Sequence, residues 1–415
     1  MVIHSVSDHS ANLDINDKKL PRILLVAAVP VICLTVFLYL WIRFPLSHPK
    51  DLENSGMNYV SGIYFANWSV YEAKHTPGDV DVANISHVFY AFMKIDPESG
   101  NVGLSDSWAD TELSVNGKKG CLGLWMSLKK EHRHLKVVMS VGGWGTSNVF
   151  QETVKSEKKL QNFVESVTHL VLTYKFDGVD IDWEYPASPV EGSQLCGLLE
   201  LLRASLDSVR DGMLLTVASP ASSNQLENYD LERMDRVLSF WNVMCYDFAG
   251  AGWSSNTGAH LNLYGHNGDN DLNVDLVIGN YIGQGIHPQK LVMGMPMYGR
   301  SFYSPTTADL GASFSKSLPY PTDTVEYRDI SDQNEVYDST RVAAYMYDAS
   351  KKVLVTYDNK QCVSEKGRYV TSHNLRGGFW WDSKGESRHK HHKLMNVFVD
   401  ELGGPHNIDH SPNWI

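Results

Sequence analysis

Asp177, Asp180, Asp182 and Glu184 crowd into the stretch "FDGVDIDWEYP", Phe176 to Pro186, among residues that are otherwise apolar or glycine. Side chains alternate along a strand, so Asp180, Asp182 and Glu184 share one face while Val179, Ile181 and Trp183 share the other. Same-face neighbours lie roughly 6 to 7 Å apart, so the carboxyl groups cannot all ionise cheaply. At least one is expected to keep a proton near neutrality, and a protonated Glu184 is suited to general-acid work. Two readings without proton transfer compete with this one: a ladder of hydrogen-bonded carboxyls, and a hard-metal site built of carboxylates. No Lys or Arg stands among the four to neutralise them, which favours chemistry.

Such a set needs a frame that aims it. Short apolar runs recur along the chain: "YVSGIYFA", "HVFYAFMKI", "LKVVMSVGG", "FDGVDIDWE", "LLTVASP", "FWNVMCYD", "LVMGMPMYG" and "RGGFWWD", eight candidate strands. Between the third and fourth, Leu160, Phe163, Val164, Val167, Leu170, Val171 and Tyr174 follow helical spacing. Leu195, Leu198, Leu199, Leu202, Leu206 and Val209 repeat the pattern after the fourth. Strands alternating with helices imply right-handed βαβ units, and eight of them imply an α/β fold closed as a (β/α)8 TIM barrel. In that frame the apolar trio faces the helices and the acidic trio points into the barrel, with Glu184 at the C-terminal mouth. The gap between the seventh and eighth strands is too long for one crossover helix, so residues 303–374 are expected to hold a small α+β insertion. Its "YMYDASKKVLVTYD" segment reads as two strands joined by a lysine-bearing turn.

Ile23 to Ile42 is an uncharged apolar run close to the roughly 20 residues that a membrane-spanning helix needs. The domain reading is therefore a cytoplasmic tail over 1–21, a transmembrane signal anchor over 22–43, a linker over 44–58 and the barrel over 59–415. Lys18, Lys19 and Arg22 precede the run, which favours a type II orientation with the barrel luminal or extracellular. A cleaved signal, giving a secreted protein, is the alternative; its apolar core is usually only about 7–15 residues long. The "NWS" at Asn67 and "NIS" at Asn84 match glycosylation acceptors and agree with that placement. Besides Cys33 in the span, Cys121, Cys196, Cys245 and Cys362 are too sparse for a disulfide scaffold. The formal net charge of -12 over 415 residues argues against nucleic acid or an anionic membrane surface as partner. In "RHKHHK" near Arg388, alternating Lys and His reads as a solvated face rather than a metal site.

"DGVDIDWE" fits DxxDxDxE and resembles the active-site strand of the family 18 glycoside hydrolases, the chitinases. "SVGGW" at Ser140 to Trp144, "MCYDFAG" at Met244 to Gly250 and "GMPMYGRSF" at Gly294 to Phe302 are similar to that family's third, sixth and seventh strands. "GGFWWDSKGE" and "FVDELGG" resemble fungal class V chitinases, although Arg376 stands where that group commonly has a glycine before the last strand.

This family is an exception to the two-carboxylate scheme, because the N-acetyl oxygen of the substrate acts as nucleophile. The resemblance implies that Glu184 is the acid, that Asp182 orients the acetamido group and faces the oxazolinium, and that Asp180 supports Asp182. Tyr246 would donate to the acetamido oxygen, and Asp177 would support the strand. It further implies substrate contacts from Tyr64, Phe92, Gly143, Trp144, Tyr185, Met244, Asp247, Tyr298 and Arg300, with Trp381 as the floor under the cleaved sugar and Trp380 as the alternative. No cofactor or metal is implied. The expected partner is chitin or chitooligosaccharide, and the expected state is monomeric. A chitin-binding lectin on the same fold and an endo-β-N-acetylglucosaminidase acting on N-glycans are the competing functions; the lectins of the family usually lack the terminal glutamate, which this chain keeps.

Overall fold

Each of the eight apolar runs forms a strand, and every strand pairs in parallel with its predecessor. They are β1 (Val60–Ala66), β2 (His87–Ile95), β3 (Lys136–Gly142), β4 (Gly178–Asp182), β5 (Leu214–Ser219), β6 (Phe240–Val243), β7 (Leu291–Pro296) and β8 (Gly377–Trp381). β8 returns to β1 with Val60 opposite Gly377, closing an eight-stranded parallel barrel. The computed structural model describes residues 58–266, 272–317, 323–388 and 393–415. The N-terminal tail, the apolar run Ile23–Ile42, nearly all of the linker and His389 to His392 lie outside the described residues. Among those described, no helix is long and apolar enough to cross a membrane.

Strand alternation sorts the core into two layers. Val60, Tyr64, Phe89, Val138 and Phe379 fill the barrel interior, while Ile63, Phe65, Val88, Val179 and Ile181 meet the surrounding helices. Helix Glu157–Tyr174 starts at Ser156, whose side chain accepts from Lys159 N, and ends at Lys175 in the left-handed region. It buries Phe163, Val167, Leu170 and Val171, as its spacing predicts. Helix Pro189–Val209 opens with Ser188 as cap and Pro189 in its first turn, and buries Leu195, Leu198, Leu199, Leu202 and Leu206. Trp183, outward from β4, stacks on Phe150 at 5.3 Å. The helical alternation is incomplete: between β1 and β2 the described chain forms only short 3-10 turns, Asn67–Val70, Pro77–Asp79 and Val82–Asn84.

The expected insertion is a five-stranded antiparallel sheet in the order Thr324–Glu326, Tyr298–Tyr303, Val353–Tyr357, Ala343–Asp348, Glu335–Asp338. The lysine-bearing turn joins two antiparallel strands, with Tyr347 opposite Leu354. The sheet starts at Tyr298, ahead of the expected boundary at 303, because the chain leaves β7 directly into its first strand. Helix Lys360–Ser372 follows, burying Cys362, Val363 and Val370 in the same apolar core as Val355 and Tyr357 of the sheet. At the barrel foot the C-terminal segment tucks in, Asn413 Nδ2 donating to the carbonyls of Lys129 and Leu135 at 2.8 and 2.9 Å. Cys121, Cys196, Cys245 and Cys362 are all buried free thiols.

Candidate active site

β4 separates its four carboxylates by depth. Asp177 lies just ahead of the strand at the barrel foot, where its Oδ2 meets Lys129 Nζ at 2.6 Å and accepts from Val137 N. Asp180 and Asp182 point inward and are almost fully buried, at 0 % and 4 % exposure. Glu184, two residues beyond the strand, reaches the C-terminal mouth, while Val179, Ile181 and Trp183 face the helices as alternation requires.

Asp180 is satisfied on every side. Its Oδ2 accepts from Tyr64 Oη at 2.8 Å and Ser140 Oγ at 2.7 Å; its Oδ1 accepts from Thr216 Oγ1 at 2.7 Å and Asn242 Nδ2 at 3.3 Å. Burial raises this carboxyl, and those four donors pull it back. Asp182 is different: burial, then Glu184 and Asp180, push it well above the ordinary carboxylate range, and its Oδ1 has no hydrogen-bond partner among the described residues. Burial pushes Glu184 up to about 7, with Tyr185 opposing and Asp247 adding to the rise. The strand thus presents one acid poised near neutrality above a deeper carboxyl that favours its neutral form.

A cleft of about 860 Å³ opens above these groups, and it collects Tyr64, Phe92, Gly143, Trp144, Asp182, Glu184, Tyr185, Met244, Tyr246, Asp247, Tyr298, Arg300 and Trp381. The catalytic and substrate-contact positions named from sequence therefore converge on one cavity, apart from Asp180, which lies beneath it, while Asp177 stays at the barrel foot. Trp381 faces the cleft, packing 5.7 Å from Phe92 and 5.5 Å from Tyr64 between ring centroids. Trp380 is fully buried against Phe398 in the outer layer, so alternation decides between the two tryptophans. Trp144 stands 81 % exposed at the rim. Gly142 and Gly143 adopt φ of 122° and 91°, and a Cβ on either would strike Asp182 O at 2.2 Å or the Phe92 ring at 2.6 Å, so β3 passes this close to the site only with glycine.

On the far wall Asp247 accepts from Tyr298 Oη at 2.6 Å and from Arg300 Nε and Nη2 at 2.9 and 2.7 Å. Burial would raise Asp247, but hydrogen bonds from His260 and Arg300 outweigh it and hold the carboxyl well below its usual range. Arg300 also reaches Asp323 Oδ1 at 2.5 Å and lies over the Trp253 ring at 4.9 Å. Trp68, Gln225, Trp253, His260 and Asp323 were not legible as site residues: Trp68 and Gln225 sit in the short helical turns Asn67–Val70 and Ser223–Leu226 and the others in loops, all without strand periodicity. Ser140 and Thr216 had a signal, being inward positions on the strands beside β4, and Asn242 is an inward position one strand further on, in β6.

The acceptor reading of Asn67 is corrected by its burial. It is 2 % exposed and its Nδ2 is committed to Ser105 Oγ and Asp110 Oδ1, both at 2.8 Å, leaving no room for a glycan. Asn84 is half-buried and donates to Asn396 Oδ1. Among the described residues no cluster of His, Cys, Asp or Glu is arranged to hold a metal ion.

A proton donor poised near neutrality, a carboxyl buried beside it and a floor of indole and phenyl rings together suit the cleavage of a sugar bond, because sugar rings present apolar CH faces. Comparison with known proteins agrees. The chain is 32% identical to sporulation-specific chitinase 2 of Saccharomyces cerevisiae, with 85% of this chain and 81% of that protein covered. It is 30% identical to endochitinase 1 of Metarhizium robertsii, with 89% and 92% covered. Among solved structures it is similar to a Group IV chitinase of Ostrinia furnacalis, with TM-score 0.76, 27% identity and 83% and 100% coverage. A class V chitinase of Nicotiana tobaccum in complex with NAG4 superposes with TM-score 0.73, 25% identity and 84% and 100% coverage. Residues 60–386 match the glycosyl hydrolases family 18, and the chain belongs to that family.

Proposed function

We propose that the chain is a chitinase that hydrolyses β-1,4-linked N-acetylglucosamine polymers or oligomers with retention of configuration, through an oxazolinium intermediate. The observation that carries this reading is the pairing of Glu184, pushed up to about 7 by burial, with the deeper and strongly raised Asp182 at the bottom of the aromatic-lined cleft. The names of the relatives, and the NAG4 bound by the Nicotiana protein, support the substrate class.

In this mechanism Glu184 donates its proton to the glycosidic oxygen as the bond to the anomeric carbon breaks. The acetamido oxygen of the same sugar attacks that carbon, and the positive charge spreads over the oxazolinium ring. Asp182 turns to the acetamido N–H, passing its proton toward Asp180, and its negative charge stabilises the cation. Tyr246 donates to the acetamido oxygen and Trp381 supports the sugar ring. Glu184, now a carboxylate, takes a proton from water, whose oxygen opens the ring and restores the acid. From the apolar run Ile23–Ile42 we further infer a tether that holds the barrel on the luminal or outer side of a membrane.

The test is release of fluorophore from a fluorogenic N,N'-diacetylchitobioside by the full-length chain and by Glu184→Gln. Turnover that disappears in the variant supports the enzyme and its acid. A wild-type protein that binds chitooligosaccharides but releases no sugar is a lectin.

A further inference from the structure

His260 is fully buried, and among the described residues neither ring nitrogen finds a hydrogen-bond partner at ordinary length. Its Nδ1 lies 3.5 Å from Asp247 Oδ1 and its ring packs 5.3 Å from that of Tyr298. Behind it, Lys366 Nζ donates to the carbonyl of the next residue, Leu261, at 2.7 Å and to Asp358 Oδ2 at 2.5 Å. The imidazole is therefore anchored from the helix side and turned toward the cleft wall.

A buried polar group without a close partner is costly, and an apolar ring of similar volume would avoid that penalty. The nitrogen needs a use. An ionised Asp247 only accepts, so Nδ1 carries the proton and Nε2 is the bare acceptor. Tyr298 and Arg300 already hold Asp247, and His260 supplies a donor behind it, away from the substrate.

We propose that His260 is a positioning residue for the hydrolytic reaction: its Nδ1–H holds Asp247 in the ionised, cleft-facing orientation from which the Asp247 charge acts on Glu184. The inference rests on the reading of Glu184 as the acid. Burial dominates the state of His260 and keeps it neutral; Asp247 favours its protonation, while Arg300 and Lys366 oppose it. Glu184 owes its position near 7 first to burial and then to the Asp247 charge. When Asp247 swings away, Glu184 loses its proton at lower pH.

The experiment measures pH–rate profiles of the full-length protein on the fluorogenic diacetylchitobioside, with melting curves, for wild type, His260→Asn and His260→Leu. The Asn amide nitrogen replaces Nδ1; Leu replaces neither nitrogen. Expected for Leu are a roughly tenfold lower kcat with KM little changed and an alkaline limb moved toward acid by about one pH unit, with Asn restoring both. A folded Leu variant with wild-type limb and kcat, or Asn and Leu variants equally impaired with an unmoved limb, overturns the proposal. If the Leu variant does not fold, His260→Gln, whose donor sits at the Nε2 end, is compared with Asn, and identical limbs overturn it. An inert wild type overturns the acid assignment itself, a separate result.

Discussion

Asp177 Oδ2 sits 2.6 Å from the Lys129 ammonium at the foot of the barrel, the opposite end of β4 from Glu184. Both side chains are nearly inaccessible to water, and Asp177 Oδ1 also accepts from Trp414 N at 2.6 Å, pinning the C-terminal segment. Removing one member of a buried pair strands the other charge, at about 3–5 kcal/mol. Asp177→Asn is therefore expected to unfold at clearly lower denaturant in a chemical melt while the folded fraction keeps its kcat. A fall in kcat without loss of stability would show that Asp177 belongs to the chemistry.

The acid role proposed for Glu184 predicts a pH limb. An unperturbed glutamate loses its proton near 4.5, and burial with the Asp247 charge lifts this one to about 7. Because the protonated form is the reactive one, kcat/KM should stay level below that value and fall as pH rises through it. Asp247→Asn removes a contributor to the rise, so the limb should move to lower pH. A limb that stays at or above pH 7 in that variant would remove Asp247 from the electrostatics of the acid.

Trp380 and Trp381 are neighbours with opposite fates. Trp380→Ala opens the fully buried layer against Phe398 and should cost about 3–5 kcal/mol of stability. Trp381→Ala should melt close to wild type but lose kcat/KM, roughly a hundredfold or more on chitooligosaccharides, because the sugar loses its stacking floor. Thermal melts and initial rates on the two purified variants separate the cases, and the reverse pattern would invert the assignment of faces.

The barrel and its acidic strand were legible because both follow period-two alternation, the most direct local signal a strand gives. Val179, Ile181 and Trp183 could face nothing but the helices once Asp180, Asp182 and Glu184 faced inward. Alternation also separates Trp380 from Trp381, though the Arg376 shift left the register open until β8 was seen paired with β7, Met295 opposite Trp380. His260, Trp253 and Asp323 gave no such signal, since loop residues are brought to the site by tertiary packing rather than by spacing. Asn67 misled for the same reason. Its N-x-S pattern is local, whereas its burial depends on Ser105 and Asp110 roughly forty residues away.

Lys366 and Asp358 form a second buried pair, both at 0 % side-chain exposure, where helix Lys360–Ser372 meets the inserted sheet. Asp358 Oδ1 has no hydrogen-bond partner among the described residues, and burial pushes this carboxyl up to about 6 against the pull of Lys366. Such a pair contributes little net stability over apolar side chains of the same shape, yet either half alone is costly to bury. Lys366→Met should therefore lose about 3–5 kcal/mol, and Asp358→Leu a comparable amount, while the double variant recovers most of the loss. Denaturant melts of the four proteins form the cycle. Recovery of stability without recovery of kcat would show that the Lys366 bond to the Leu261 carbonyl also serves the loop that carries His260; simple additivity of the two losses would show that the charges do not interact.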